Sequence, residues 1–175
     1  QLVNTSFNLI FIPAVAITTI SVMYAIEIMD LLYVSEITET AEVYTVLMLS
    51  FVAIALTYIY GTLLTANNNL KQLNIISLIG LLLNLGLNFW LIPSHGAYGA
   101  AIATLGTQFL VVLLQIIYAK WKLKMDYSFS FIFKHLILIV LGVGVAENSM
   151  QLFSNFIIHS VFILLFFGSM ALVFG

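Results

Sequence analysis

Six apolar runs of about twenty residues constrain this chain more than any other feature, because a helix of that length is what a bilayer core roughly 30 Å thick requires. They are Phe7 to Ile26, Val43 to Leu64, Leu73 to Ile92, Ala97 to Ala119, Phe129 to Ala146 and Leu152 to Phe174. The runs are continuous and do not alternate at period two, and a barrel strand would need only about ten residues, so helices are expected and strands are not. Of the 175 residues 63% are apolar and 7% charged, too few ions to coat a soluble globule. The expected fold class is therefore all-α, a polytopic membrane bundle of six transmembrane helices.

The charges between the runs sort by sign. Glu27, Asp30, Glu36, Glu39 and Glu42 fall at or between the first two spans with no lysine among them. Lys71 lies between spans two and three, Lys120, Lys122 and Lys124 between spans four and five, and Lys134 just inside span five. Threaded through six spans, every lysine falls on one side, which the positive-inside rule makes cytoplasmic. Both ends of this stretch then face the cytoplasm. Trp90, Trp121, Tyr24, Tyr33, Tyr98 and Tyr118 fall at the expected borders, where amphipathic rings collect.

Helices in lipid associate through small residues and interhelical hydrogen bonds, since apolar burial cannot drive them together. Span four carries two four-residue ladders, Gly96, Ala100, Thr104 and Gly99, Ala103, Thr107, which read as a packing face. Span three places Ser77, Gly80, Asn84 and Asn88 on one stripe, and span four adds Gln108 and Gln115, seven apart. An unpaired amide in hydrocarbon costs several kcal/mol, so these side chains are expected to face other helices or a wet cavity. Asn84, Asn88, Gln108 and Gln115 are the candidate cavity lining. Between spans three and four, Pro93 is expected to end one helix, while Gly96 and Gly99 let the next return in close antiparallel contact.

Several chemistries drop out. A net charge of −2 with five basic residues leaves no basic field for nucleic acid. The absence of cysteine removes disulfides and thiolate chemistry. There is no HExxH, GxSxG, P-loop or GxGxxG opening a helix, so no catalytic residue, cofactor or metal is expected. Glu27 and Asp30, one turn apart, read as solvated charges at the end of the first span, and His95, His135 and His159 as packed side chains. Gln1 follows no positive n-region or small-residue cleavage site, so the chain is expected to be a piece of a longer protein.

The segment LNFWLIPSHGAYGAAIATLGTQ, Leu87 to Gln108, resembles the asparagine-leucine-isoleucine-proline, turn, glycine and alanine-rich helix signature of bacterial oligosaccharide flippases. These form the polysaccharide-transporter branch of the multidrug/oligosaccharidyl-lipid/polysaccharide exporter superfamily. The order upstream is similar too, with a span opened by Pro13 and ending in LLY (Leu31 to Tyr33), an acidic loop, a second span and the polar turn LLTANNNLKQLN from Leu63 to Asn74. The resemblance runs from about Leu9 to the end of span five. Val34 stands where relatives often have glycine, and Asn67, Asn68 and Asn69 stand where they often have a basic turn residue.

This resemblance implies two six-helix lobes around a central cavity. Residues 1–121 would complete the second lobe and 122–175 would be an appended helix pair, the other lobe lying in a missing N-terminal part of the same chain. It implies alternating access, in which the sugar and pyrophosphate of an undecaprenyl-linked oligosaccharide cross while the lipid tail stays in the bilayer. Its partners would be that substrate and membrane lipid, with H+ or Na+ as coupling ion. With no arginine present, a pyrophosphate grip would fall to Lys71, or to Lys120, Lys122 and Lys124, as point charges, or would lie in the missing N-terminal part. The alternatives are a drug or cation antiporter of the same superfamily, an integral-membrane glycosyl or acyl transferase, and a membrane subunit that transports nothing.

Overall fold

The computed structural model describes residues 2–124, 129–153 and 155–174. Among these residues every regular element is helical: α1 (Leu2–Met23), α2 (Ala25–Leu32), α3 (Ile37–Ala66), α4 (Leu70–Leu123), α5 (Phe129–Ser149) and α6 (Phe156–Phe174). Thr5–Met23, Ile37–Ala66 and Leu70–Leu123 are long and apolar enough to cross a membrane, and Phe156–Ala171 is a shorter apolar helix. The chain is an all-helical membrane protein.

Most boundaries follow the apolar runs. α3 contains the run Val43 to Leu64 and begins six residues earlier, where Thr40 Oγ1 donates to the Glu36 carbonyl at 2.8 Å and closes the first turn. The first run differs. The helix breaks at Tyr24, and Glu27 and Asp30 lie exposed on the separate α2, whose Ala25 and Met29 pack with Ala41 of α3. An eight-residue helix with one face packed and two carboxylates in water is too short and too polar to prolong a span. Pro13 does not open α1 but lies within it. It removes a single backbone bond, to the Leu9 carbonyl.

The chain forms two compact units, one of Gln1–Tyr24 with Asp126–Gly175, the other of Ala25–Met125. α1 belongs with α5 and α6 in the first unit.

In the first unit, α1 packs on α6 and α5. Phe11, Ile12, Ala14, Val15 and Ala16 are buried from α1, Leu138 and Ala146 from α5, Ile163 and Phe167 from α6. Gly142 of α5 accepts the ring of Phe167. The polar groups of this interior are matched across helices: His135 Nε2 lies 2.8 Å from Asn8 Oδ1, and His159 bonds both Tyr24 and Ser149. A cavity of about 330 Å³ lies between α1 and α6, walled by Leu9, Ile12, Pro13, Leu164 and Phe167. Tyr24, expected at a membrane border, is thus buried in hydrogen-bonded packing.

The second unit is built on α3 and α4, with α2 against the start of α3. α4 is two helices joined at Gly96, whose φ of 54° and ψ of −134° are non-helical. Its arms, 70–95 and 97–123, fold back on one another. Asn84 reaches Thr107, and Tyr118 donates to Asn69 Oδ1 at 3.3 Å.

Candidate functional site

The hairpin within α4 is the feature on which the candidate residues converge. Gly96, not Pro93, carries the reversal. Pro93 lies inside the helical run, and the break comes three residues later, at a backbone conformation only glycine adopts without strain. A proline in the last turn forfeits only its own amide, so helical geometry continues past it. Gly99 then packs onto the preceding arm, where a Cβ would stand 2.5 Å from the Leu91 carbonyl oxygen. Of the two small-residue ladders, Gly99, Ala103 and Thr107 is the buried one, and Gly96 is exposed. The buried stripe continues through Val111, Gln115 and Ala119.

The amides form a directed chain across this contact. Asn88 Nδ2 donates to Asn84 Oδ1 at 2.9 Å, Asn84 Nδ2 to Thr107 Oγ1 at 3.4 Å, and Thr107 to the Ala103 carbonyl at 2.7 Å. The end of this chain is an open acceptor: Asn88 Oδ1 is buried with no hydrogen-bond partner among the described residues. Gln115, 2% exposed, holds a second unpartnered acceptor in Oε1. It faces Gly61 of α3, where a Cβ would lie 4.0 Å from Gln115 Nε2 and 3.9 Å from Leu73. Three helices meet at that point. Thr57 Oγ1, one turn before Gly61 on α3, is likewise buried without a partner.

Not every expected lining residue joins this chain. Gln108 is half-buried and makes no side-chain hydrogen bond among the described residues. Ser77 is exposed and returns its hydroxyl to the Leu73 carbonyl at 2.9 Å. The hidden acceptors of Asn88 and Gln115 lie in packed helix contacts, so the site has the character of an interhelical polar seam.

The two ends of the second unit differ in charge. Asn69 and Tyr118 tie the start of α4 to its C-terminal arm, so Lys71, Lys120, Lys122 and Lys124, all exposed, share one end. At the other end a cavity of about 610 Å³ is lined by Glu36, Glu39 and Glu42 together with His95, Gly96 and Tyr98 of the hairpin turn. His95 Nδ1 lies 2.7 Å from Ser94 Oγ. The carboxylates are exposed, and among the described residues no group of His, Asp or Glu is arranged to hold a metal. Trp90 and Tyr98 stand exposed near the acidic end and Trp121 near the lysine end.

The matched histidines and tyrosine of the first unit were not legible as pairs in the sequence. Tyr24, Ser149 and His159 are separated by up to 135 positions, and no local spacing announces such a contact. No family model and no curated protein matches the chain.

Proposed function

We propose that this chain is the C-terminal part of a bacterial flippase that moves an undecaprenyl-pyrophosphate-linked oligosaccharide across the cytoplasmic membrane, with six membrane spans and both ends of the stretch in the cytoplasm. The reading rests first on the flippase-like segment Leu87 to Gln108. The observation that carries it further is the polar seam of α4, in which Asn88 Oδ1 and Gln115 Oε1 keep open acceptors inside the helix bundle. A hydroxyl-rich head group, admitted where these helices part during alternating access, offers the donors such acceptors lack. A bundle needing only adhesion could have closed both with apolar packing at less cost.

Sidedness supports the same reading. The lysine end and the carboxylate end of the second unit correspond to cytoplasm and exterior under the positive-inside rule. The lysines would meet the pyrophosphate on its entry side as point charges.

The test is complementation. Asn84→Leu/Asn88→Leu, placed in the native gene, should reach the membrane in normal amount yet lower surface polysaccharide and leave the lipid-linked precursor to accumulate inside. Wild-type polysaccharide output from a normally expressed variant contradicts the role.

A further inference from the structure

Every formally charged side chain of the second unit lies at one of its two ends. Glu27, Asp30, Glu36, Glu39 and Glu42 stand around α2 and the start of α3, and Lys71, Lys120, Lys122 and Lys124 at the start and finish of α4. The 30 residues of α3 separate the two groups by about 45 Å of helix. Salt at about 0.1 M screens a charge within about 10 Å, so the lysines gain nothing from these carboxylates. None of the four makes an ion pair among the described residues.

The lysines are gathered by packing. Tyr118 donates to Asn69 Oδ1 at 3.3 Å, which ties the end of the second arm of α4 to the N-cap of the first and sets Lys71 at the level of the run from Lys120 to Lys124. Tyr118 also packs its ring on Trp121, 6.0 Å between centres at 53°, and Trp121 is 73% exposed. Asp126, two positions past Lys124, lies outside the described residues. With it counted, four lysines face one carboxylate.

The length of α3 matches the roughly 40–45 Å from one head-group layer to the other. A bilayer that covers its apolar middle therefore puts the lysine end among lipid head groups. Ammonium groups on long apolar stems reach that layer readily, and an exposed indole settles in it. The anion the layer supplies is a lipid phosphate.

We infer that the lysine end of the second unit is a binding surface for anionic phospholipid, with Lys71, Lys120, Lys122 and Lys124 pairing lipid phosphates and Trp121 seated at the acyl border beside them. Zwitterionic lipid carries a cation next to each phosphate, which offsets the attraction, so net-anionic lipid is selected over it. The surface belongs to the chain in its resting bilayer and is independent of the cargo proposed above.

The chain's two tryptophans report the two ends separately. Trp90→Phe leaves Trp121 at the lysine end, and Trp121→Phe leaves Trp90 near the acidic end. Each protein is placed in phosphatidylcholine vesicles holding a minority of lipid with brominated acyl chains, which quench a neighbouring indole, the brominated lipid being phosphatidylglycerol or phosphatidylcholine. Trp121 should report about 10-fold tighter association of phosphatidylglycerol at low salt, falling towards parity at about 1 M salt. Trp90 should report no preference. Lys120→Gln/Lys122→Gln/Lys124→Gln, added to Trp90→Phe, should remove most of the preference at Trp121. Inorganic phosphate should compete no better than chloride of equal ionic strength. Displacement by phosphate alone makes this a site for a free anion and overturns the lipid assignment. Equal quenching of Trp121 by the two lipids, the same preference at Trp90, or an undiminished preference in the triple variant overturns it as well. Should the triple variant fail to fold, the comparison of Trp121 with Trp90 decides.

Discussion

Gly80 on the first arm of α4 packs against Val111 on the second so closely that a Cβ would collide with the Val111 methyl. Gly80 is thus required by contact across the hairpin, its own φ being helical. Gly80→Ala should lower stability by about 1–3 kcal/mol, the usual cost of overpacking a filled contact. Val111→Ala should recover most of that loss when combined with it. Thermal unfolding in detergent of both single variants and the double variant measures the coupling.

The turn itself depends on Gly96, whose φ of 54° and ψ of −134° lie outside the reach of L side chains. Gly96→Ala should cost roughly 1–3 kcal/mol through backbone strain alone, since nothing lies within 4 Å of the added carbon. Gly86→Ala is the control. That glycine is helical, exposed and equally uncrowded, so the substitution should stabilise by about 0.5–1 kcal/mol. Equal effects at the two positions would refute a glycine-only conformation at Gly96.

In the first unit, Gly142 and Phe167 form the corresponding close contact between α5 and α6. Gly142→Ala should destabilise this unit, and pairing it with Phe167→Leu should restore much of the loss by withdrawing the ring. Phe167→Ala alone empties a site 1% exposed and should cost about 3–5 kcal/mol. Protease resistance of the segment from α5 to α6 in membranes reports all three.

The sequence made the helices legible because hydrocarbon tolerates few other solutions: Leu73 to Ile92 and Ala97 to Ala119 fall within the arms of α4. The hairpin was readable from glycine and proline, although Gly96 and not Pro93 proved to carry the reversal. The Asn84 and Asn88 stripe was readable from spacing, and its bond to Thr107 was not, since register between two arms is set by packing at Gly80 and Gly99. The break at Tyr24 escaped because no glycine or proline marks it within the run Phe7 to Ile26. His159 escaped for a further reason. Its partners come from two other helices, and local periodicity carries no information about which side chains meet at such distances.

Cysteine mapping bears most directly on the membrane assignment, and the chain, having no cysteine of its own, suits it. Single Lys71→Cys, Lys122→Cys and Glu39→Cys variants would be treated with a membrane-impermeant maleimide on intact and on permeabilised cells. Glu39→Cys should label on intact cells, and Lys71→Cys and Lys122→Cys only after permeabilisation. Labelling of positions 71 and 122 from opposite faces would contradict the hairpin topology, and the flippase assignment would go with it.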